Sequence, residues 1–123
     1  MIKSVSKEAV KYMPVYSGNR EDVNPLWVMV HPLSRGDMDK YLKRTKYFQK
    51  PGNKGEWDTN AIDMQKKQFL DNVLEVHNFI DSDTNVEIKE VERLYEESPH
   101  QLVEEIIQAI VDISTMKDSE VKN

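Results

Sequence analysis

The sequence predicts a single α+β domain in which an N-terminal β-hairpin packs on three to four α-helices. Three observations support this. The chain has 123 residues, a length that fits one domain and buries roughly two thirds of its unfolded surface. Two N-terminal stretches are rich in β-branched and aromatic residues, and from Ser34 onwards apolar residues recur at helical spacing. We expect the domain to span residues 1–116 and residues 117–123 to form a disordered tail.

Two N-terminal segments are predicted to form the hairpin. Residues 9–16 alternate roughly between apolar and polar side chains, and Pro14 either confines this segment to a sheet edge or ends it. Residues 26–31 form the strongest candidate strand and are bracketed by Pro25 and Pro32. An antiparallel pairing across a long loop is the simplest arrangement of the two.

The next segment is predicted to be a helix over residues 38–50. Ser34 is a favourable N-cap, and Asp37 stands three residues later in the capping-box position. Five side chains, apolar or aromatic except for one threonine, then repeat at helical spacing; they are Met38, Tyr41, Leu42, Thr45 and Phe48. The proline and glycines after residue 50 predict a loop over residues 51–58.

A second helix is predicted over about residues 60–80, with Phe69, Val73, Val76 and Ile80 as its apolar stripe. A polar turn follows over residues 81–85. Val86 and Ile88 are then consistent either with a short third strand or with the start of a short helix over residues 91–97.

The last helix has the clearest pattern. Ser98, Pro99 and Gln101 fit an N-cap, the first helical position and a capping-box residue. Apolar residues cover more than half of the helix, so it is either central to the core or half covered by a partner. We expect a core set of Leu102, Ile106, Ile110 and Ile113, an outward partner-binding set of Val103, Ile107 and Val111, and a wet side of Glu104, Glu105, Gln108 and Asp112.

Composition excludes several classes of function. The chain has no cysteine, which excludes disulfides, thiolate zinc sites and cysteine nucleophiles. No signal sequence and no run of ~18 apolar residues is visible, so a soluble, cytoplasmic protein is expected. Residues 1–67 carry 13 Lys/Arg against 8 Asp/Glu, whereas residues 68–123 carry 4 against 14. This asymmetry suits an electrostatic contact with a partner, or only helices with differently charged solvated faces.

No catalytic or cofactor-binding pattern is present. His31, His77 and His100 have no zinc-binding spacing, and the chain contains neither a nucleophile elbow nor a glycine-rich phosphate loop. We therefore expect no enzymatic activity, no cofactor and no metal. Residues 81–85 begin like a calcium loop, but Val86 stands where the sharp turn needs glycine. A polar turn whose aspartates cap neighbouring helices is the alternative interpretation.

Basic and aromatic residues on the 38–50 helix raise the question of nucleic-acid binding. The acidic isoelectric point, about 5.2, argues against it. The run is better interpreted as a solvated face or as a docking surface for an acidic partner. We expect Trp27, on a strand, to lie in the core, and Trp57, in a loop, to serve as an exposed interface anchor.

The order of these features resembles small proteins of tailed phages and prophages, most closely the tail assembly chaperone type. The resemblance rests on these segments: the Ser17-Gly18-Asn19-Arg20 turn, the strand from Trp27 leading through His31-Pro32-Leu33-Ser34 into a helix, the mid-chain Phe69-Leu70-Asp71-Asn72-Val73 helix, and Leu94-Tyr95-Glu96-Glu97 before Ser98-Pro99 and the closing helix. The 81–85 turn, which lacks glycine, and the 51–58 loop depart from the family layout.

This resemblance implies a non-enzymatic function. Such chaperones bind the long helical tape-measure protein and keep it soluble until tail-tube subunits assemble around it. Two alternatives stay open: a connector or adaptor subunit of a phage particle, which would self-associate, and a phage-encoded inhibitor of a host protein. The inhibitor would mimic nucleic acid with an acidic surface of Glu90, Glu92, Glu96 and Glu97.

Overall fold

A computed structural model describes residues 4, 8–49 and 57–113 and confirms the α+β class. The predicted tail over residues 117–123 and most of the predicted 51–58 loop lie outside this part of the chain. The elements, in chain order, are β1 (Val10–Tyr12), a 3-10 helix (Tyr16–Glu21), β2 (Trp27–Val30), α1 (Arg35–Arg44), β3 (Tyr47–Gln49), β4 (Trp57–Thr59), α2 (Ala61–Asn72), β5 (Val73–His77), β6 (Phe79–Ile80), β7 (Glu87–Ile88), α3 (Val91–Glu97) and α4 (His100–Asp112).

The main sheet has the order β1-β2-β5, and both pairs of neighbours are antiparallel. The predicted hairpin is confirmed, because Val10 pairs with Val30 and Tyr12 with Val28. Val28 and Val30 are fully buried. Successive side chains of a strand point to opposite faces, so Trp27 lies on the other face and is only half-buried. The expectation that Trp27 belongs to the core is therefore wrong.

The predicted helix over residues 60–80 is correct only in its first part. Its core residue Phe69 is fully buried as expected, but α2 ends at Asn72 and the chain continues directly into β5. β5 is the third strand of the main sheet.

A β-bulge explains why β5 imitates a helix in its sequence. Val30 pairs with Val73 and Met29 with Glu75, so Leu74 is an extra residue without a partner in β2. The bulge lets Val73 and the valine three residues later both face the core, although an uninterrupted strand places only every second residue on one face. A spacing of three is also the spacing of a helical stripe.

The predicted helix over residues 38–50 also ends early. The Ser34 capping box with Asp37 is confirmed, but α1 stops at Arg44. Residues 47–49 instead form β3, which pairs with β4 in a separate two-stranded sheet. Threonine and aromatic residues suit a strand better than a helix, and the partner strand compensates for the lost helical hydrogen bonds.

The segment around Val86 and Ile88 contains a short strand, and the predicted short helix follows it. β7 pairs with β6 rather than with the main sheet, and α3 begins at Val91. Ile88 is buried and Val86 is exposed.

Helix α4 covers the core side of the domain. The predicted core residues are all buried; they are Leu102, Ile106, Ile110 and Ile113. Val103 is also buried, with 8% of its surface exposed, so its predicted outward orientation is wrong. The predicted Ser98 N-cap is wrong as well, because Pro99 occupies the cap position without a side-chain hydrogen bond. Ser98 Oγ is buried and has no hydrogen-bond partner among the described residues.

Glu105, expected on the wet side of α4, connects this helix to the start of the sheet. Its carboxylate accepts hydrogen bonds from the hydroxyl of Tyr12 at 2.5 Å, from the amide of Val15 at 2.8 Å and from the amide of Tyr16 at 3.0 Å. These amides follow Pro14, where β1 has ended, and so lack a strand partner. The carboxylate satisfies donors that would otherwise lower stability.

The loop between β1 and β2 is closed by Asn19. Its amide nitrogen donates to the carbonyls of Pro14 and Leu26, at 2.8 and 2.9 Å, and its oxygen accepts from the Leu26 amide at 2.8 Å. Ser17 and Gly18 adopt positive φ angles of 52° and 72°. Glycine tolerates this conformation without a steric penalty, which explains the glycine at position 18.

We predict that Val103→Asp lowers the free energy of unfolding by roughly 3 kcal/mol or more, because it places an unpaired carboxylate in the core. Val23→Asp is the matched control; Val23 is 92% exposed, and its replacement should change stability by no more than about 0.5 kcal/mol. Urea unfolding followed by circular dichroism measures both. Equal stability of the two variants would contradict the burial of Val103.

We predict that Glu105→Ala costs about 2–4 kcal/mol of stability, because three donors lose a charged acceptor. Glu104→Ala tests the neighbouring position, whose carboxylate contacts only His100 at 3.7 Å among the described side chains. The same unfolding measurement should show a change below about 0.5 kcal/mol there. A small effect of Glu105→Ala would mean that water replaces the carboxylate.

Stability should also fall at alkaline pH. Burial first, and then the carboxylate of Glu105, raises the pKa of the Tyr12 phenol above its ordinary 10.0. The folded state therefore favours the neutral phenol, so this contribution is complete below pH 10 and is lost as the pH rises towards the folded pKa. The slope reaches about 1.4 kcal/mol per pH unit. Urea unfolding between pH 8 and 11 should show a flatter decline for Tyr12→Phe than for Tyr47→Phe, and equal slopes would refute this.

Candidate protein-binding site

The predicted partner contacts are divided between two elements. Three of them lie on α4; they are Val103, Ile107 and Val111. Val103 belongs to the core, and Ile107 is half-buried and packs against the core. Val111 is also half-buried. Trp57 lies in β4, and its side chain is outside the described part of the chain. Helix α4 therefore does not offer the wide apolar face that its sequence suggested.

Three exposed apolar residues lie on the end of α1, on β3 and on the first turn of α2, which are the elements that Asn60 joins. Leu42, Tyr47 and Ile62 are 55%, 72% and 75% exposed. Lys43 and Lys46, the chain neighbours of Leu42 and Tyr47, are exposed as well. We call these five residues the basic-apolar corner. Single exposed apolar residues are common, but several at one junction together with cations are typical of interaction surfaces.

Asn60 builds this corner. Its side-chain oxygen accepts from the Lys46 amide at 2.6 Å, and its side-chain nitrogen donates to the Arg44 carbonyl at 2.8 Å. Its own amide donates to the Lys46 carbonyl at 3.3 Å. One residue before α2 thus fixes the end of α1 and the beginning of β3.

A second contact holds α1 against the other end of α2. The Tyr41 hydroxyl donates to the Asp71 carboxylate at 2.9 Å and accepts from the Asn72 side-chain amide at 3.1 Å. Burial, followed by the hydrogen bond to Asp71, raises the pKa of the Tyr41 phenol. Because α1 is held near both ends of α2, the corner is a fixed surface rather than a loose helix end.

Several cations outside the corner are paired with carboxylates. Lys66 pairs with Glu96 at 2.8 Å and Lys67 with Asp71 at 3.2 Å. Arg93 pairs with both Asp81 and Glu97. Among the described side chains, no carboxylate pairs with Lys43 or Lys46, and the same is true of Arg44 at the end of α1.

Trp27 lies on the outer face of the main sheet, opposite the core. The rings of Trp27 and His77 stack at 3.9 Å with an interplanar angle of 12°. The ammonium of Lys11 lies 4.5 Å from the Trp27 ring centroid, within the range of a cation–π interaction. Trp27 is thus engaged by neighbouring side chains.

The calcium-loop candidate is a self-contained turn. Asp81 accepts from the amides of Asp83 and Thr84 at 2.8 and 3.0 Å and forms an ion pair with Arg93 at 2.9 Å. These backbone hydrogen bonds, with Arg93, hold the pKa of Asp81 below its ordinary value. Asp81 therefore stabilises its own polar turn. The polar-turn interpretation also expected it to cap a neighbouring helix, which it does not do.

Within residues 8–49 and 57–113, no group of three histidine, aspartate or glutamate side chains is placed to hold a metal ion. Among the same residues, no helix is long and apolar enough to cross a membrane. Comparison of the chain with models of protein families, with curated proteins and with solved structures finds no match.

The corner was only partly anticipated. The basic residues of the 38–50 segment predict a solvated face or a docking surface for an acidic partner, but the predicted helix continues through Thr45 and so does not indicate the junction. Thr45 ends α1, its hydroxyl donating to the Tyr41 carbonyl at 3.1 Å. A threonine, tyrosine and phenylalanine within four residues were the available signal for a strand.

Proposed function

We propose that this chain is a non-enzymatic protein-binding domain of the tail assembly chaperone type, and that it binds an acidic, amphipathic helical segment of a tape-measure-type protein. The basic-apolar corner carries this proposal. Its apolar side chains match the apolar stripe of such a helix, and its two lysines match flanking carboxylates. Trp57, the interface anchor predicted from the sequence, lies in β4, whose backbone pairs with β3, and it stays a further candidate contact.

The acidic residues of α3 are already paired with cations of this chain, which makes them weaker candidates for binding a basic partner. In the acidic half of the chain, Glu92 and Glu96 contact Lys66, and Glu97 contacts Arg93. The surface available for nucleic-acid mimicry is correspondingly reduced, which favours a chaperone over an inhibitor. The proposal places the protein in the host cytoplasm during tail assembly.

The corner yields a direct prediction for partner capture. Leu42→Asp and Ile62→Asp should each weaken capture of a co-expressed tape-measure-type protein at least about tenfold, since central apolar contacts dominate binding energy. Val23→Asp is the matched control at an exposed site outside the corner and should bind as the wild type does. Binding isotherms over a series of salt concentrations measure affinity, which should fall as salt rises.

Circular dichroism establishes that each variant is folded before its affinity is compared. Unchanged capture by both corner variants would place the contact elsewhere, with Ile107, Val111 and Trp57 as the remaining candidates. Failure of the wild-type protein to bind, together with a stable large ring in light scattering, would replace the chaperone with a connector subunit.

A further inference from the structure

A cavity of about 210 Å³ opens beside α1, close to the basic-apolar corner but lined by different residues. The end of β2, one side of α1 and the last residue of α2 supply its walls. Its lining residues are His31, Leu33, Asp37, Lys40, Tyr41, Arg44 and Asn72. The four from α1 follow the spacing i, i+3, i+4 and i+7, which places them on one face of a helix.

The cavity has a cationic rim. Lys40 and Arg44 are one turn apart on α1 and are exposed. Among the described side chains, Arg44 has no carboxylate partner, and Lys40 has only Asp37 at 3.9 Å. One oxygen of that aspartate, Oδ2, accepts from the amide and hydroxyl of Ser34 at 3.3 and 3.0 Å, and the other, Oδ1, faces Lys40. The lining therefore carries two cations against one carboxylate, a net positive charge, and Arg44 is the cation without a carboxylate partner among the described side chains.

The floor of the cavity is held by hydrogen bonds. Asn72 is 5% exposed, and its side-chain nitrogen donates to the Tyr41 hydroxyl at 3.1 Å and to the Gln68 carbonyl at 2.8 Å. The backbone amide of His31 donates to the Asn72 carbonyl at 2.8 Å, and this bond fixes the backbone of His31 at the wall of the cavity. A preorganised floor reduces the entropy lost when a ligand binds.

We propose that this cavity binds a small oxyanion, a carboxylate or a phosphate, between the guanidinium of Arg44 and the ammonium of Lys40. The planar fork of arginine contacts two oxygens of such a group at once, and lysine supplies a point charge. A volume of about 210 Å³ holds an oxyanion and a short stem, since one water takes about 30 Å³ of liquid. This site does not depend on the proposed tape-measure partner.

The test is a titration of the full chain followed by two-dimensional ¹H–¹⁵N NMR at low ionic strength. Two probes are used separately, N-acetylglutamate amide and inorganic phosphate. At least one probe should give saturable shifts of the amides of Leu33, Tyr41 and Asn72. Arg44→Gln and Lys40→Gln should each raise the dissociation constant at least about fivefold, because each removes one charged contact. Arg35→Gln, the same change as Arg44→Gln at the other end of α1, should have no such effect.

The outcomes separate the two sources of the anion. Saturation by N-acetylglutamate amide identifies a protein carboxylate as the occupant, and saturation by phosphate alone identifies a phosphorylated ligand. No saturable shift with either probe overturns the proposal, as does equal weakening by Arg44→Gln and Arg35→Gln. Since neither probe contains an apolar helix, a negative result here leaves the capture experiment on the corner unaffected.

Discussion

The carboxylate of Glu105 is the contact on which the arrangement of this domain most depends. Apolar packing brings α4 to the main sheet, but such packing is non-directional and tolerates sliding or rotation. Three hydrogen bonds from Tyr12, Val15 and Tyr16 define a single position of the helix. They also satisfy the backbone where Pro14 ends β1, so the turn into the 3-10 helix depends on a side chain about 90 residues away along the chain. Helix position and loop conformation are therefore coupled.

Local signals predicted the parts of the fold that local interactions decide. The prolines around β2, the Ser34 capping box and the four core residues of α4 each combine a residue type with a position, and the structure agrees with all of them. The incorrect predictions of secondary structure occur where pairing with a distant segment of the chain determines the conformation. The bulge opposite Met29 and Val30 places Val73 and Val76 on one face at the spacing of a helical stripe. Strand β3 takes the place of the predicted end of the first helix, and it requires a partner strand that begins at Trp57.

The candidate site shows the same division. The lysines of the α1 region suggested an acidic partner, but Asn60 reaches the backbone of Arg44 and Lys46 across 14 to 16 residues, and no pattern within one element reveals that link. The wide apolar face of α4 fits both a partner and the core in sequence terms. Val103 belongs to the core because neighbouring elements cover that side of the helix as well.

The direct passage from α2 into β5 restricts how this protein can vary in length. Asn72 ends the helix and Val73 begins the strand, so there is no loop in which an added or deleted residue could be absorbed. A single insertion after Val73 would reverse the faces of the residues that follow it or force a second irregularity into the ladder. Descendants of this sequence are thus expected to keep this segment at constant length.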